Sequence, residues 1–426
     1  RLDTQKLYSL FNSCSGVSID TRKIKKDEMY FSLKGNNFDG NIFAIEAIEK
    51  GAKFSIVDDL EQKDIHDNII YVENSLKALQ DLSNYHRSLF DAKVIGITGS
   101  NGKTTTKNLI YSILSQKYNV IKTKGNLNNH IGVPLSLLNI KDDIDVAVIE
   151  MGANHVGEIK RLCEIAMPDI GLITNYGYAH LEGFGSFEGV IKGKSEMYEY
   201  LTENYGHIIL NNDDKLQVEN CKGDLAVTYG SSKNSEYIFD YKKDDSSLKL
   251  IIDGFEFNSN LYGEYNFSNL AVSITIGKFF DLSNEEIQEG LNKLSNDSNR
   301  SEILTFDSNN IYLDAYNANP TSMLAAIANF ENMNIDNRVL ILGDMFELGE
   351  YSDYEHQKIV EFVKNKDYSK VYLVGDNFSK CNTDGEYFFK FSNTHELVLS
   401  DSFKSLKNMN ILVKGSRGVS LEKLFK

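Results

Sequence analysis

The sequence runs to 426 residues, 41% of them hydrophobic and 25% charged, with 23 Tyr, 24 Phe and a formal net charge of −16. That length exceeds one ordinary core and points to about three domains of about 150 residues each, while the apolar share excludes a disordered chain. The acidic balance excludes broad nucleic-acid binding, which needs clustered Lys and Arg, so an anionic substrate has to be met by a few placed cations, backbone amides or magnesium.

Up to about residue 85, short β-like pieces at 28–33 and 53–58 alternate with turn-rich segments such as 34–40. This predicts a small α/β domain over 1–85. From Lys93 the pattern changes to apolar runs at 94–98, 146–151, 170–174 and 208–210, separated by helix-length segments. Such alternation predicts a mostly parallel sheet with helices on both faces. Residues 236–258 alternate apolar and polar around Asp253-Gly254, which predicts a β-hairpin appended to that sheet. A helix is expected over 266–280, completing a central domain over 86–298. After Asn299-Arg300 a second series of apolar runs, at 311–313, 339–342, 371–374 and 411–413, predicts a third, Rossmann-like α/β domain over 299–426. The expected fold class is thus α/β in three domains.

Cys14, Cys163, Cys221 and Cys381 are scattered with no C-x-x-C pair, and read as reduced thiols rather than a zinc site or a disulfide framework. No run of 18 apolar residues and no secretory leader is legible, so no membrane span is expected and the cytoplasm is the expected compartment.

Residues 96–106 read GITGSNGKTTT, follow an apolar strand and open a helix. Glycines let backbone amides turn toward phosphates, a helix N-terminus favours negative charge, Lys103 can reach the β- and γ-phosphates, and Thr104 can ligate magnesium. Ile97 stands where the strict G-x-x-x-x-G-K-[ST] pattern has its first glycine, leaving G-x-x-G-K-T. The loop specifies a nucleotide and no more: a GTPase, an ATPase motor and a small-molecule kinase all use one. Glu150 closes the second apolar run, where a carboxylate at a strand's end can face the loop and hold a metal; a solvated strand-end residue fits equally well. His180 follows the third run and Lys194 comes fourteen residues later. Taken alone, each reads as a surface residue.

Taken together, the segments "DTR" at 20–22, "LKGNNFDG" at 33–40, "TGSNGKTTTK" at 98–107, "GNLNNHIGVPLSLL" at 125–138, "IEMGANHVGEI" at 149–159, "TNYGYAHLEGFGS" at 174–186, "YNANPTSM" at 316–323, "LGDMFELG" at 342–349 and "KGSRG" at 414–418 resemble the Mur ligase family. Their order and spacing extend the resemblance over nearly the whole chain. Within the family they are most similar to the members that join D-alanyl-D-alanine to UDP-MurNAc-tripeptide.

The resemblance implies an ATP-dependent, ADP-forming amide-bond ligase of peptidoglycan precursor synthesis, acting as a monomer. It implies ATP contacts from Gly99, Ser100, Asn101, Gly102, Lys103, Thr104 and Thr105, from Asn266 and Asn269 beside the adenine, and from Arg300, Asp314, Tyr316 and Asn317. Two magnesium ions are implied, one at Thr104 and one held by Glu150, His180 and Lys194, with Lys194 carbamylated so that a cationic amine becomes an anionic oxygen ligand. Lys103, His180, Lys194 and Arg300 carry the catalytic roles. Asp20, Thr21, Arg22, Lys34, Gly35, Asp39 and Gly40 match the UDP region, and Asn126, Asn128, Asn319, Lys414, Ser416 and Arg417 are expected along the substrate path. Two departures stand out: Tyr265 replaces the usual His before Asn266, and only one acid, Asp314, precedes Tyr316.

Three rival readings are a Mur ligase adding a diamino acid, a folylpolyglutamate synthase and a nucleotide-binding module without catalysis. The first lacks a "DNPR"-like segment here and the second fits "YNANP" and "LGDMFELG" less well. A mere binder has no need of Glu150, His180 and Lys194 together with Lys103.

Overall fold

A computed structural model describes residues 3–244, 247–259, 261, 263–294 and 302–425. Arg300 and the expected junction at 298/299 lie outside the described residues.

The first sheet is wholly parallel, in the order Gly16–Ser18, Glu28–Phe31, Phe54–Val57, Ile69–Tyr71. Helices Thr4–Phe11 and Ser75–Ser88, each started by a side-chain cap (Asp3 and Asn74), supply Leu7, Phe11, Leu79 and Leu82 against Met29, Phe31 and Ile56. Leu138, from the middle of the chain, joins the same cluster. Residues 34–40, expected as a turn, form a two-stranded pair, Lys34–Gly35 against Phe38–Asp39.

The central sheet has seven parallel strands, ordered Tyr237–Ile238, Ala226–Gly230, His207–Asn211, Ile170–Ile173, Lys93–Thr98, Val146–Glu150, Val120–Lys122. Its strands are apolar on both sides because both faces are covered. Helices Glu158–Ala166 and Phe187–Glu203 pack on one face, and Lys103–Leu114 with Phe267–Phe279 on the other. The helix Phe267–Phe279 is buried on every side, between Lys103–Leu114 and a small separate sheet. That sheet corrects the expected hairpin: it has three antiparallel strands, Asp240–Asp244, Ser247–Ile252 and Phe255–Ser259, with Asp253-Gly254 as one turn. The extra strand, Asp240–Asp244, pairs with Ser247–Ile252 over its whole length, while Leu248, Leu250 and Phe257 of the other two strands join the core that Phe267–Phe279 also enters.

The third sheet has six strands in the order Glu302–Phe306, Asn309–Asp314, Asn410–Lys414, Arg338–Gly343, Lys370–Val374, Phe388–Phe391, all parallel but the first. Apolar side chains of the central and third sheets' helices form one continuous cluster, from Leu181 and Phe184 to Met345 and Leu348. All four cysteines are free. Among the described residues no helix is long and apolar enough to cross a membrane.

One topological feature positions the site. From Lys93–Thr98 the chain crosses to Val120–Lys122, returns beside itself as Val146–Glu150, and then changes sides to Ile170–Ile173. Loops leaving adjacent strands in opposite directions open a crevice at the strands' C-terminal ends.

Candidate active site

The phosphate loop leaves Lys93–Thr98 at that crevice and enters helix Lys103–Leu114. Gly99 and Gly102 have φ of +144° and +81°. A Cβ at Gly99 would overlap Thr174 Oγ1, and one at Gly102 would stand 2.5 Å from Asn269 Oδ1, so only glycine fits either place. Residues after the neighbouring strand pin the loop: Ser100 N donates to Asn175 O (3.0 Å), Asn101 N to Asn175 Oδ1 (3.0 Å), and Thr174 Oγ1 to Asn101 O (2.5 Å). Lys103 Nζ donates to Gly99 O (2.7 Å), which holds the ammonium over the loop. The helix's first amides and this cation make a site for anions.

Glu150, 2% exposed, ends the adjacent strand. Its Oε2 accepts from Thr104 Oγ1 (3.0 Å) and Lys107 Nζ (2.9 Å), and its Oε1 from Asn128 Nδ2 (2.9 Å). Burial would raise this carboxyl, but Lys107 and Lys103 outweigh it and hold the group below the ordinary glutamate value. The Thr104 hydroxyl and the Glu150 carboxylate are hard oxygen donors meeting at the phosphate loop, which fits a magnesium ion. Asn269, beneath the loop, accepts from Thr106 Oγ1 (3.2 Å) and donates to Asn266 Oδ1 (3.0 Å).

The third sheet faces this loop across a cleft of about 1080 Å³. Asp314 and Lys414, on adjacent strands, pair at 2.6 Å, and Lys414 Nζ also donates to Asn317 O (3.2 Å). Arg417 lies over the ring of Tyr316, 5.5 Å from its centre, and Ser416 Oγ accepts from Phe346 N (3.1 Å). Asn319 caps helix Pro320–Glu331 and touches Asn101, while Tyr178 N donates to Thr321 Oγ1 (2.9 Å).

His180 carries a positive φ of 55°, uncommon for a residue with a side chain, and pairs with Glu347 of the third unit. Lys194, 0% exposed, has its Nζ 5.2 Å from the centre of the Phe184 ring, with no carboxylate of the described residues at ion-pair distance. Burial, and then the charge of Lys103, push its amine well below the ordinary lysine value, favouring the neutral form. Lys192, two residues away, is exposed.

Family models match three successive stretches: the Mur ligase family catalytic domain at 13–87, the Mur ligase middle domain at 97–277, and the Mur ligase glutamate ligase domain at 299–416. The chain is 34% identical to the UDP-N-acetylmuramoyl-tripeptide–D-alanyl-D-alanine ligase of Bacillus subtilis (strain 168), over 96% of this chain and 92% of that protein. It belongs to the Mur ligase family. Crystal structure I of MurF from Acinetobacter baumannii superposes with a TM-score of 0.88 at 28% identity, covering 99% of this chain and 97% of that one. The MurF ligase of Thermotoga maritima in complex with ADP gives 0.85 at 26% identity, covering 97% and 96%.

This Mur ligase gathers many of the expected residues on one cleft. Ser100 to Thr105, Asn126, Asn128, Glu150, His180, Asn266, Asn269, Asp314, Tyr316, Asn317 and Lys414 all line it, as does Tyr265. Gly99 shapes the loop from behind, and Asn319, Ser416 and Arg417 support the far wall. Glu150, His180 and Lys194, expected together, meet three different partners: Thr104 with Lys107, Glu347 and Phe184. Among the described residues no group of three His, Cys, Asp or Glu side chains is placed to hold a metal. An ammonium has no lone pair to offer a metal, so Lys194 would join such a set only as the neutral amine or after conversion to an anion.

Asp20, Thr21, Arg22, Lys34, Gly35, Asp39 and Gly40 do not line the cleft. They form their own loop pair, in which Asp20 binds the Arg22 guanidinium through both oxygens (2.9 Å each), Lys34 pairs with Asp58 (3.0 Å), and Asp39 caps the turn at Asn41. The sequence reading missed Lys107, although its place three residues after Thr104 puts it on the same helix face. It also missed Glu347, Asn175 and Arg161, which reach the cleft from loops and helices with no phosphate signature.

Proposed function

We propose that this Mur ligase joins D-alanyl-D-alanine to UDP-MurNAc-tripeptide with ATP, in the cytoplasm and as a monomer. What carries the reading is a phosphate loop that faces Asp314, Tyr316 and Lys414 across a single cleft formed by one chain, together with relatives of that name matching over nearly full length. A division into 1–85, 86–298 and 299–426 would assign one large sheet to each of three tasks, with Asp20, Thr21, Arg22 and the 34–40 loop taking the UDP end.

The tripeptide's terminal carboxylate attacks the γ-phosphorus of ATP, forming an acyl-phosphate and releasing ADP. Repulsion between anions sets that barrier, and Lys103, the loop amides and Arg300 offset it by neutralising the phosphates in line with the nucleophile. Magnesium, bound at Thr104 and Glu150, would supply further neutralisation of the transferring phosphate. The dipeptide's amine then attacks the acyl carbon, and phosphate leaves as the amide forms. Neutral Lys194 would add through its lone pair to carbon dioxide and give up one N–H proton to solvent in the cleft, becoming a carbamate that complements His180. Because both partners must be held at once, much of the acceleration comes from positioning.

The deciding measurement is phosphate release by purified protein with ATP, magnesium and UDP-MurNAc-tripeptide, offered D-alanyl-D-alanine and then single amino acids. Turnover that depends on the dipeptide is expected. Equal turnover with a single amino acid would defeat the assignment in favour of another ligase of the family.

A further inference from the structure

Lys107 and Glu150 are 2% and 3% exposed at their side chains and meet at 2.9 Å, on the same carboxylate oxygen that accepts from Thr104. Lys107 Nζ also donates to Gly125 O (3.2 Å), at the start of the loop that carries Asn128 to the other Glu150 oxygen. Both Glu150 oxygens are therefore engaged by the chain's own groups, and a buried carboxylate without such partners would be costly. A dication arriving at Thr104 and Glu150 meets an ammonium already sharing its ligand, and the two positive charges repel.

We propose that Lys107 is a positioning residue: it serves as the resident counter-ion of Glu150, keeping that carboxylate aimed at Thr104 and making the site bind a divalent cation weakly until nucleotide phosphates add further ligands. Metal thus enters with the nucleotide and leaves with it. The inference rests on the reading of Thr104 and Glu150 as the magnesium site.

The test uses Lys107→Met, which keeps the volume of the side chain and removes its charge, in the full-length protein. Manganese binding is followed by electron paramagnetic resonance and thermal unfolding is recorded in EDTA and in magnesium, all without nucleotide. The wild type is expected to bind manganese weakly and to melt at the same temperature in both buffers. The variant is expected to bind manganese about tenfold more tightly, the effect of one charge removed at contact distance, and to melt lower in EDTA with recovery in magnesium. Unchanged manganese affinity together with metal-independent melting would overturn the proposal. Should Lys107→Met not accumulate as folded protein, Lys107→Met/Glu150→Gln decides: a folded double variant that no longer binds manganese supports charge balancing, and one that still fails to fold overturns it. If the wild type binds no manganese even with an ATP analogue present, it is the metal-site reading that fails.

Discussion

Asn319 Nδ2 donates to Asn101 Oδ1 at 2.7 Å, and Asn101 Nδ2 donates back to Asn319 Oδ1 at 3.4 Å, so the tip of the phosphate loop is bonded to the first cap of a helix 218 residues later. The same Asn319 Oδ1 accepts from Ser322 N (2.9 Å) as the N-cap of Pro320–Glu331. One side chain therefore starts a helix of the third unit and ties that unit to the loop. Asn319→Ala should cost about 1 kcal/mol of stability through the lost cap and also lower kcat. Asn319→Asp keeps a capping oxygen but removes the donor to Asn101, so its melting temperature should match the wild type while kcat falls. Equal kcat in Asn319→Asp and wild type would show that the tie has no part in turnover.

Lys194 and Lys192 make an internal control, since one is buried against Phe184 and the other exposed. Lys194→Ala should reduce turnover at least ~100-fold, the scale of losing one pre-placed electrostatic group. Added short carboxylates should restore part of it, whereas Lys192→Ala should behave as wild type. Steady-state phosphate release reads all three, and an active Lys194→Ala would transfer the role elsewhere.

Arg22 is held by Asp20 on an open surface, so its removal should leave the melting temperature unchanged. Arg22→Ala should instead raise the apparent KM for the UDP substrate several-fold with KM for ATP nearly constant. The opposite split would remove the first unit's loop from the UDP site.

His86 offers a pH test at the junction of the first and central units. Its ring, 4% exposed, contacts Ile140 O (2.8 Å) and Tyr8 Oη (3.3 Å), and burial pushes its pKa below the ordinary 6.5. In the pH interval between the two values the unfolded chain binds the proton and the folded one does not. The stability contribution is therefore complete above about 6.5 and is lost as pH falls through the depressed folded value. His86→Asn should flatten the decline of melting temperature over that interval, and an unchanged slope would assign the decline to other groups.

Strand and helix positions were largely legible because apolar periodicity is a local property. The runs at 94–98, 339–342 and 371–374 fall within strands Lys93–Thr98, Arg338–Gly343 and Lys370–Val374. The small sheet was read one strand short, since its extra strand, Asp240–Asp244, is fixed by pairing with Ser247–Ile252 rather than by an apolar run of its own. Lys107 escaped notice for a related reason: nothing in its neighbours reveals that a carboxylate from another strand faces it.

Chain order thus carried the glycine turn, the lysine and threonine that follow it, and the succession of three α/β units, because each depends on residues adjacent along the backbone. Folding alone chose the partners. It matched Asp314 with Lys414 across 100 residues and His180 with Glu347 across two sheets, and it stripped water from Lys194 but not from Lys192. Desolvation and charge pairing depend on what arrives from distant parts of the chain, and those arrivals are set by how the sheets stack.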